Sequence, residues 1–284
     1  MFKFRRNKII KVITDIVCYV ILTAILIFCV APIFWIIKTS FETPQFIRSP
    51  QIQWIPIMFT LQNYISVLTN PNAMIFRAFL NSLIVALSST ALSLTMTTMA
   101  GYALSRWNFK GKTQFNVYLL MVNMVPGTLV LISMFVILRR LDLINSHIGL
   151  ILFYISTGLT LATWMLKGYF DSIPVEIEEQ ARIDGASHFQ VIWRIILPLA
   201  LPGIFSTGAY LFLSYWNEYM AAMTILQKQE LRTLPVQIVN FMGFQRVEWG
   251  PIMAYSVIVM IPSSILFFIA QKHMVAGLTA GYSK

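Results

Sequence analysis

The chain has 284 residues, of which 57% are hydrophobic and 11% are charged, and its mean hydropathy is +0.72. Soluble domains are about 45–50% apolar and about 25% charged, so this composition excludes an ordinary soluble domain and indicates an integral membrane protein. The net charge of +10 comes from Lys and Arg between apolar stretches, without the basic helix and stacking aromatics that nucleic-acid binding requires.

Six apolar stretches follow one another along the chain. Each is long enough for a transmembrane helix, which needs about 20 residues to cross the hydrocarbon core. The predicted cores are residues 14–37, 76–102, 115–137, 149–167, 199–225 and 250–271. The sequence therefore predicts an all-α integral membrane protein with six transmembrane helices. The membrane domain covers residues 13–271, between a short N-terminus (1–12) and a tail (272–284).

The distribution of Lys and Arg predicts the orientation. An even number of spans places both termini on one side of the membrane. With the termini inside, 13 of the 21 Lys and Arg residues lie in inside segments, and the remaining eight lie outside. Because basic loops are retained in the cytoplasm, we expect both termini there and the long loop from Lys38 to Met74 outside.

No catalytic or metal-binding motif occurs in the sequence. Cys18 and Cys29 lie on one predicted helix, roughly 16 Å apart, which prevents a disulfide between them. The three histidines fall in different segments, without metal-ligand spacing. A Gly-Lys-Thr at residues 111–113 lacks the upstream glycine of a phosphate-binding loop, where Arg106 stands. The sequence predicts neither an enzyme nor a bound cofactor or metal.

Polar residues inside the predicted spans are candidates for a translocation pathway, since a charge in hydrocarbon is costly unless it faces a bundle interior or a wet cavity. Glu218 is the one acid well inside an apolar stretch, and we expect it to face a central cavity with Asn217 and Trp216. A helix end at the outer interface, where Trp and Tyr also concentrate, is the alternative. Further candidates in other spans are Asn81, Ser82 and Asn123. Asn in a span more often joins helices by hydrogen bonds.

The segment over residues 169–198 predicts two short helices at an angle. Acidic residues that follow Pro174 favour the positive end of the first helix, and Gly185 ends it. Ser187 and Gln190 have the spacing of a capping box, which begins a second helix that Pro198 ends. The apolar stripe of the second helix is formed by Phe189, Ile192, Trp193 and Ile196. By these residues alone, the segment is typical of an amphipathic linker on the membrane surface.

The spacing of seven residues in this segment resembles the signature loop of the inner-membrane permeases of ATP-binding-cassette (ABC) importers. The family pattern is Glu-Ala-Ala, three residues, Gly, nine residues, and Ile-x-Leu-Pro. The matching positions here are Glu179, Gln180, Ala181, Gly185, Ile195, Leu197 and Pro198. Gln180 departs from the pattern, in which Ala is usual. The stretches "RTLPVQI" and "GLTAGYSK" are similar to the sugar branch, in particular to the smaller permease of maltose-type importers.

This resemblance implies the type I ABC importer permease fold and a coupling loop at about residues 169–198 that docks on an ATPase subunit. The residues it assigns to coupling are Glu179, Gln180, Ala181, Asp184, Gly185, Ile195, Leu197 and Pro198. It also implies a heterodimer of two permeases in a prokaryotic inner membrane, two ATPase subunits that bind the ATP, an external solute-binding protein, and a sugar as solute.

The resemblance implies roles for two more segments. The loop over residues 227–250 would probe the sugar cleft of the binding protein, and the tail would insert between the ATPases. The tail residues assigned to that contact are Gly277, Leu278, Thr279, Ala280 and Gly281.

The residues leave three alternatives. A permease of the same superfamily could carry another solute, because the sequence does not identify a sugar. An ion-driven secondary transporter is disfavoured by the single intramembrane acid, by the lack of a basic partner deep in the spans, and by the lack of a repeat between the halves. A membrane enzyme is disfavoured by the lack of catalytic motifs.

Overall fold

The computed structural model describes residues 2–51, 53–71, 74–242 and 247–279, with side chains between Lys11 and Gln271 in these ranges. The described residues form 13 α-helices, and within them there is no β-strand beyond two isolated bridges. The helices are α1 (Phe2–Ser40), α2 (Pro44–Ile47), α3 (Gln62–Thr69), α4 (Ile75–Arg106), α5 (Lys112–Val122), α6 (Gly127–Arg140), α7 (His147–Asp171), α8 (Glu176–Ile183), α9 (His188–Val191), α10 (Leu197–Trp216), α11 (Met220–Ile225), α12 (Leu234–Gln237) and α13 (Trp249–Thr279).

Five helical stretches in the described chain are long and apolar enough to cross a membrane. They are Lys11–Ser40, Ile75–Arg106, His147–Asp171, His188–Trp216 and Trp249–Gln271. The first, second, fourth and sixth predicted cores each lie within one of these stretches. Long apolar helices are the expected solution in lipid, because a helix satisfies its own backbone hydrogen bonds.

The third predicted span, residues 115–137, is not one straight helix but the pair α5 and α6, which meet at 94°. Pro126 stands directly before α6 and cannot donate an amide hydrogen bond, which explains why the helix breaks there. The pair nevertheless joins opposite ends of α7, which at 1.5 Å per residue is about 37 Å long. It starts beside the C-terminal end of α7, where Ser105 donates to Asp171, and finishes at the turn into its N-terminus. This placement favours one crossing by the bent pair, which would bring the crossings among the described residues from five to six.

The prediction that Pro198 ends a helix is wrong. A π-helical turn, Ile192–Ile196, joins α9 to α10, and Pro198 lies in the first turn of α10. Within this turn the Leu197 amide donates to the Ile192 carbonyl, five residues back, so the hydrogen-bond register changes immediately before the proline. Pro198 therefore fits without breaking the helix, since a residue in the first turn of a helix need not donate an amide hydrogen bond. The predicted fifth span, residues 199–225, ends earlier, at Trp216, and α11 follows as a separate helix.

Two compact units can be distinguished by their internal packing: Met74–Val239 with Val259–Lys284, and Met1–Ala73 with Asn240–Ile258. The core of the first unit consists of α4, α7 and α10, which pack against one another. The buried side of α4 is a stripe of mostly small residues: Ala78, Ser82, Ala86, Ser89, Ser93, Thr97 and Gly101. Because lipid is as apolar as a leucine side chain, such helices associate through close backbone approach, which small residues permit.

In the other unit, polar contacts fix the end of α1. The Asn63 side chain in α3 donates to the carbonyl oxygens of Ser40 and Glu42, at 2.9 and 2.8 Å. Lys38 and Glu42 form an ion pair of 2.6 Å whose side chains are almost fully buried. The Lys38 ammonium also lies 4.5 Å from the ring centre of Trp35. These contacts give both buried charges a partner, which burial demands.

Candidate functional site

The predicted coupling loop contains two short helices, α8 and α9, as the sequence indicated. The acids in the first turn of α8 are Glu176, Glu178 and Glu179. Helix α9 begins with the predicted capping box, which is confirmed: the Gln190 amide donates to the Ser187 hydroxyl at 3.3 Å, and the Ser187 amide donates to the Gln190 side chain at 2.8 Å. This reciprocal pair satisfies two amides that the first turn of a helix leaves without partners.

The predicted glycine corner at the end of α8 is also confirmed. Gly185 has φ of +89°, a left-handed conformation that costs other L-residues roughly 1–2 kcal/mol. The Gly185 amide donates to Arg182 O and the Ala186 amide to Ala181 O, both at 3.0 Å. These two bonds define a Schellman motif, in which glycine turns the chain sharply away from the helix axis. The direction from α8 to α9 is thus set by one residue, next to Asp184, whose side chain is exposed.

The two faces of α8 have different environments. Glu178 is fully buried, and Ala181, three residues on, packs against the core at the adjoining ends of α4, α7 and α10. Glu179 and Gln180 are exposed, and Ile183 is 85% exposed. Glu179 and Ala181, both assigned to coupling by the resemblance, do not share one face of α8, because residues two apart are separated by about 200° around a helix. The outer face available to a partner carries Glu179 and Ile183.

A buried ion pair holds the inner face of α8 to the end of α4. The Arg106 Nε donates to Glu178 Oε1 at 2.5 Å, and the two side chains are 7% and 1% exposed. The Tyr102 hydroxyl donates to Glu178 Oε2 at 3.0 Å. The rest of the guanidinium binds the end of α7 and the segment after it: Nη1 donates to Phe170 O and Nη2 to Ile173 O, both at 3.0 Å. We name Tyr102, Arg106 and Glu178 the Arg106 clamp.

Sequence reasoning missed the Arg106 clamp. It named Arg106 only in rejecting a phosphate-binding loop, and it included Glu178 only among the acids that favour the positive end of a helix. The partners are 72 residues apart, so no local pattern joins them. Glu178 lies on the same side of α8 as Ala181, three residues on, but only the structure shows that this side faces the protein.

The apolar stripe predicted along the second helix is divided in the structure. Ile196 is fully buried, whereas Phe189 and Trp193 are 69% and 59% exposed, with ring centres 5.8 Å apart. The π-helical turn explains the difference, because it changes the angular spacing of the residues within it. The remaining signature residues lie where this segment enters α10: Ile195 and Leu197 are half-buried, and Pro198 is exposed.

Glu218 occupies the break between α10 and α11, where its side chain caps the N-terminal end of α11. Its carboxylate accepts hydrogen bonds from the amides of Ala221 and Ala222, at 2.8 and 3.0 Å, and from the Tyr154 hydroxyl at 2.9 Å. The Tyr154 ring stacks on Tyr215 with centres 5.0 Å apart. A half-buried carboxylate with three donors is well satisfied by the protein itself.

The Tyr215 hydroxyl extends these contacts into the bundle. It lies 2.9 Å from the Ser93 hydroxyl of α4. Residue 158 of α7 is glycine, and a Cβ there would overlap the Tyr215 hydroxyl. The structure therefore links all three core helices through one polar layer, which ends at Glu218.

The neighbours of Glu218 differ in their surroundings. Asn217 is exposed, and its amide donates only within its own helix, to Leu213 O at 2.8 Å. Trp216 is 1% exposed and packs against Phe79 and Phe212. This burial does not favour the contact with a solute that the sequence predicted for Trp216.

Asn81 and Ser82 anchor a turn rather than facing open space. The Asn81 amide donates to Glu230 O and Arg232 O, at 3.0 and 3.1 Å, and the Ser82 hydroxyl accepts from the Leu234 amide at 2.7 Å. They hold the segment after α11 against α4.

The other predicted residues carry less structural information. Asn123 lies at the bend between α5 and α6, and its side chain donates to Leu119 O at 2.9 Å. Helix α13 includes Gly277, Leu278 and Thr279, whereas Ala280 and Gly281 lie outside the described residues. Part of the loop over residues 227–250 is likewise outside them. Among the described residues, no group of three or more His, Cys, Asp or Glu side chains could hold a metal ion.

The fold has counterparts among solved structures. A chain in the crystal structure of a bacterial ABC transporter involved in the import of the acidic polysaccharide alginate superposes with a TM-score of 0.78. The match covers 92% of this chain and 96% of that one, at 23% sequence identity. A chain of the MetNI methionine ABC transporter matches with a TM-score of 0.56 over 72% of this chain and 95% of that one, at 16% identity. The protein has the fold of a type I ABC importer permease.

Sequence similarity identifies the family. The chain belongs to the binding-protein-dependent transport system inner membrane components, whose family model matches residues 93–279. It is 36% identical to the trehalose/maltose transport system permease protein MalG of Thermococcus litoralis, over 98% of this chain and 99% of that protein. It is 32% identical to the galactooligosaccharides transport system permease protein GanQ of Bacillus subtilis, over 98% of both chains. The protein is therefore a multi-pass membrane permease of an ABC transporter.

Proposed function

We propose that this chain is one of two permeases that form the pathway of an ATP-driven importer of sugars, with oligosaccharides as the substrate class. The observation that carries the proposal is the similarity over the full chain to sugar-transport permeases such as MalG and GanQ. The same class is supported by the diacetylchitobiose uptake system permease protein DasC of Streptomyces coelicolor, 34% identical over 92% of this chain and 95% of that protein.

The outer face of α8 supplies the contact with an ATPase subunit. Ile183 is a large apolar side chain that is 85% exposed, and Glu179 is an exposed acid four residues before it. An exposed apolar anchor beside a charge is the arrangement that docks a helix in a groove with a basic rim. The importer has two ATPase subunits, and ATP binds to these. The permease itself is then not an enzyme and holds no cofactor or metal.

The remaining parts follow from this assignment. The two termini and α8 lie in the cytoplasm of a prokaryotic cell, and the loop from Lys38 to Met74 lies outside. An external solute-binding protein delivers the sugar to the loop over residues 227–250. The tail, residues 272–284, contacts the ATPase pair. The bias of Lys and Arg towards one set of loops supports this orientation.

Vesicle uptake tests the proposal. The complete transporter is reconstituted in vesicles with its binding protein. Uptake of labelled maltose, trehalose and galactooligosaccharides is then measured with and without ATP on the side of the membrane that the ATPase subunits face. We expect uptake that requires ATP and the binding protein and that persists when ionophores remove ion gradients. Uptake that depends on an ion gradient and not on ATP would identify a secondary transporter instead. If ATP drives the uptake of a non-sugar solute and of none of these sugars, the protein is still an ABC importer permease, but sugars are not its substrates.

A further inference from the structure

The Arg106 clamp joins three chain segments at the end of the bundle where α8 lies. Arg106 is the last residue of α4, Phe170 belongs to the last turn of α7, and Glu178 belongs to α8. The Arg106 guanidinium donates to α8 through Nε, to α7 through Nη1, and to Ile173, between those two helices, through Nη2. Only arginine can do this, because its planar fork directs several donors at once, whereas lysine presents a compact point charge.

The chain itself connects α8 to α10 through a path that is not one regular helix. After α8 come the left-handed Gly185, the four-residue helix α9 and the π-helical turn Ile192–Ile196. A π-helical turn interrupts the regular hydrogen-bond ladder and is frequent at functional sites. By contrast, the clamp contacts are buried and short, and the Glu178 carboxylate has hydrogen bonds on both oxygens.

The buried charges are not explained by stability alone. A buried ion pair is weak support for stability, because an apolar pair of similar volume often stabilises a fold as well or better. What the pair fixes is geometry: it allows α8 only one placement against α4 and α7, since displacement would leave a buried carboxylate without its partner. Such a constraint is useful for a helix that must transmit movement.

We propose that Arg106 is a positioning residue for energy coupling: it makes α8 move as one body with the ends of α4 and α7. The inference rests on the proposed function, in which an ATPase moves α8. Movement then enters the membrane bundle through α4 and α7, at the clamp, in addition to the covalent path through Gly185 to α10. Arg106 itself contacts neither ATP nor the sugar.

The test compares Arg106→Gln with Arg182→Gln. Arg182 is the matched control, because it also faces Glu178, at 3.5 Å from Oε2, but its side chain is 49% exposed. Both variants lose one positive charge next to the same carboxylate. The readouts are recovery of the assembled transporter, ATP hydrolysis stimulated by the binding protein, and sugar taken up per ATP hydrolysed.

We expect assembled Arg106→Gln transporter whose uptake per ATP falls about tenfold while hydrolysis continues, because breaking a buried pair releases α8 from the bundle. Arg182→Gln should retain the wild-type ratio. Arg106→Lys should restore part of the ratio, since it keeps the charge but not the fork. Wild-type uptake per ATP in Arg106→Gln would overturn the proposal, as would an equal loss in Arg182→Gln.

A milder variant covers the case in which Arg106→Gln does not assemble. Tyr102→Phe removes only the hydroxyl that donates to Glu178 and leaves the ion pair in place. We expect it to assemble and to lose uptake per ATP by about twofold to fivefold, less than Arg106→Gln, because the ion pair that holds α8 remains. If Tyr102→Phe and Arg106→Lys both assemble with the wild-type ratio, the proposal is rejected.

Hydrogen exchange tests the role of the Arg106 clamp independently of the proposed sugar substrate and of ATP-driven transport. In the purified permease complex without sugar, the α8 amides of Arg106→Gln should exchange about tenfold faster than those of Arg182→Gln, because α8 opens locally. Absence of ATP-driven sugar uptake in the wild type would reject the proposed function while this exchange difference still stands. Identical exchange rates of the α8 amides in the two variants would reject the proposed role of the Arg106 clamp, even if the wild type transports sugar normally.

Discussion

A single glycine sets the direction in which the chain leaves α8. Gly185 is at φ +89°, and no atom lies near the position that its Cβ would take. A larger residue there is therefore disfavoured by backbone conformation and not by a clash. The Schellman hydrogen bonds that Gly185 and Ala186 donate would be strained or lost with it.

Gly185→Val should insert in the membrane but lose ATPase co-purification and sugar uptake, because the backbone cost of roughly 1–2 kcal/mol reorients the chain after α8. Gly111→Val is the matched control, since Gly111 has φ +92° and equally open space, but lies between α4 and α5. We expect the control to have similar stability and to keep its ATPase. Equal behaviour of the two variants in co-purification and uptake would show that the Gly185 corner is only a linker. Glu179→Ala should have a milder effect, since the corner survives.

The carboxylate of Glu218 stabilises the start of α11 through the amides of Ala221 and Ala222. Glu218→Gln should lower stability by about 1.5–3 kcal/mol, as expected for hydrogen bonds to a charged group. It should also impair transport more than Tyr210→Phe, a mild change in the preceding helix. Thermal unfolding in detergent and sugar uptake measure the two effects. An unchanged unfolding temperature of Glu218→Gln would refute the capping role. A raised KM for sugar would support the prediction that Glu218 also belongs to the translocation pathway.

At the scale of elements, the segment after α11 depends on α4 for its position. Asn81 binds the carbonyls of Glu230 and Arg232, and Ser82 binds the Leu234 amide, so three backbone groups of one segment are satisfied by two adjacent residues. Backbone groups held against a membrane helix need such partners, which gives Asn81 and Ser82 a structural role in the bundle.

Asn81→Ala should free this segment while leaving the spans folded, at a cost of about 1–3 kcal/mol for unsatisfied carbonyls. Limited proteolysis within residues 227–242 should become several times faster than in the wild type, as local opening predicts. Asn217→Ala is the control, because Asn217 is exposed and bonds only within its own helix. Equal proteolysis of both variants would mean that Asn81 does not anchor the segment.

The elements that the sequence predicted well are those specified by neighbouring residues. Ser187 and Gln190 are three residues apart, and Gly185 acts on its own backbone, so both were visible without a structure. The apolar lengths of the spans were equally local. The π-helical turn before Pro198 was not, because packing selects it. The Arg106–Glu178 pair was not either, since it forms between segments 72 residues apart.

At the scale of the whole molecule, the topology depends on whether α5 and α6 together cross the membrane. If they do, three crossings separate the turn before α5 from the segment after α11: the bent pair, α7, and α10. These two segments then lie on opposite sides. If the pair re-enters on the side where it began, only α7 and α10 separate them, and they lie on the same side. The connection of opposite ends of α7 favours the crossing.

Single-cysteine labelling decides this point and the orientation together. Lys110→Cys and Lys228→Cys, both at exposed positions, are each placed in a background with Cys18 and Cys29 replaced by Ser. In intact cells we expect a membrane-impermeant maleimide to label position 228 and to leave position 110 unlabelled until the membrane is opened. That pattern follows from an odd number of crossings combined with the retention of basic loops inside. Labelling of both positions, or of neither, would mean that α5 and α6 form a re-entrant pair. Labelling of position 110 alone would keep the six spans but reverse the protein in the membrane, and α8 would then face away from any cytoplasmic ATPase.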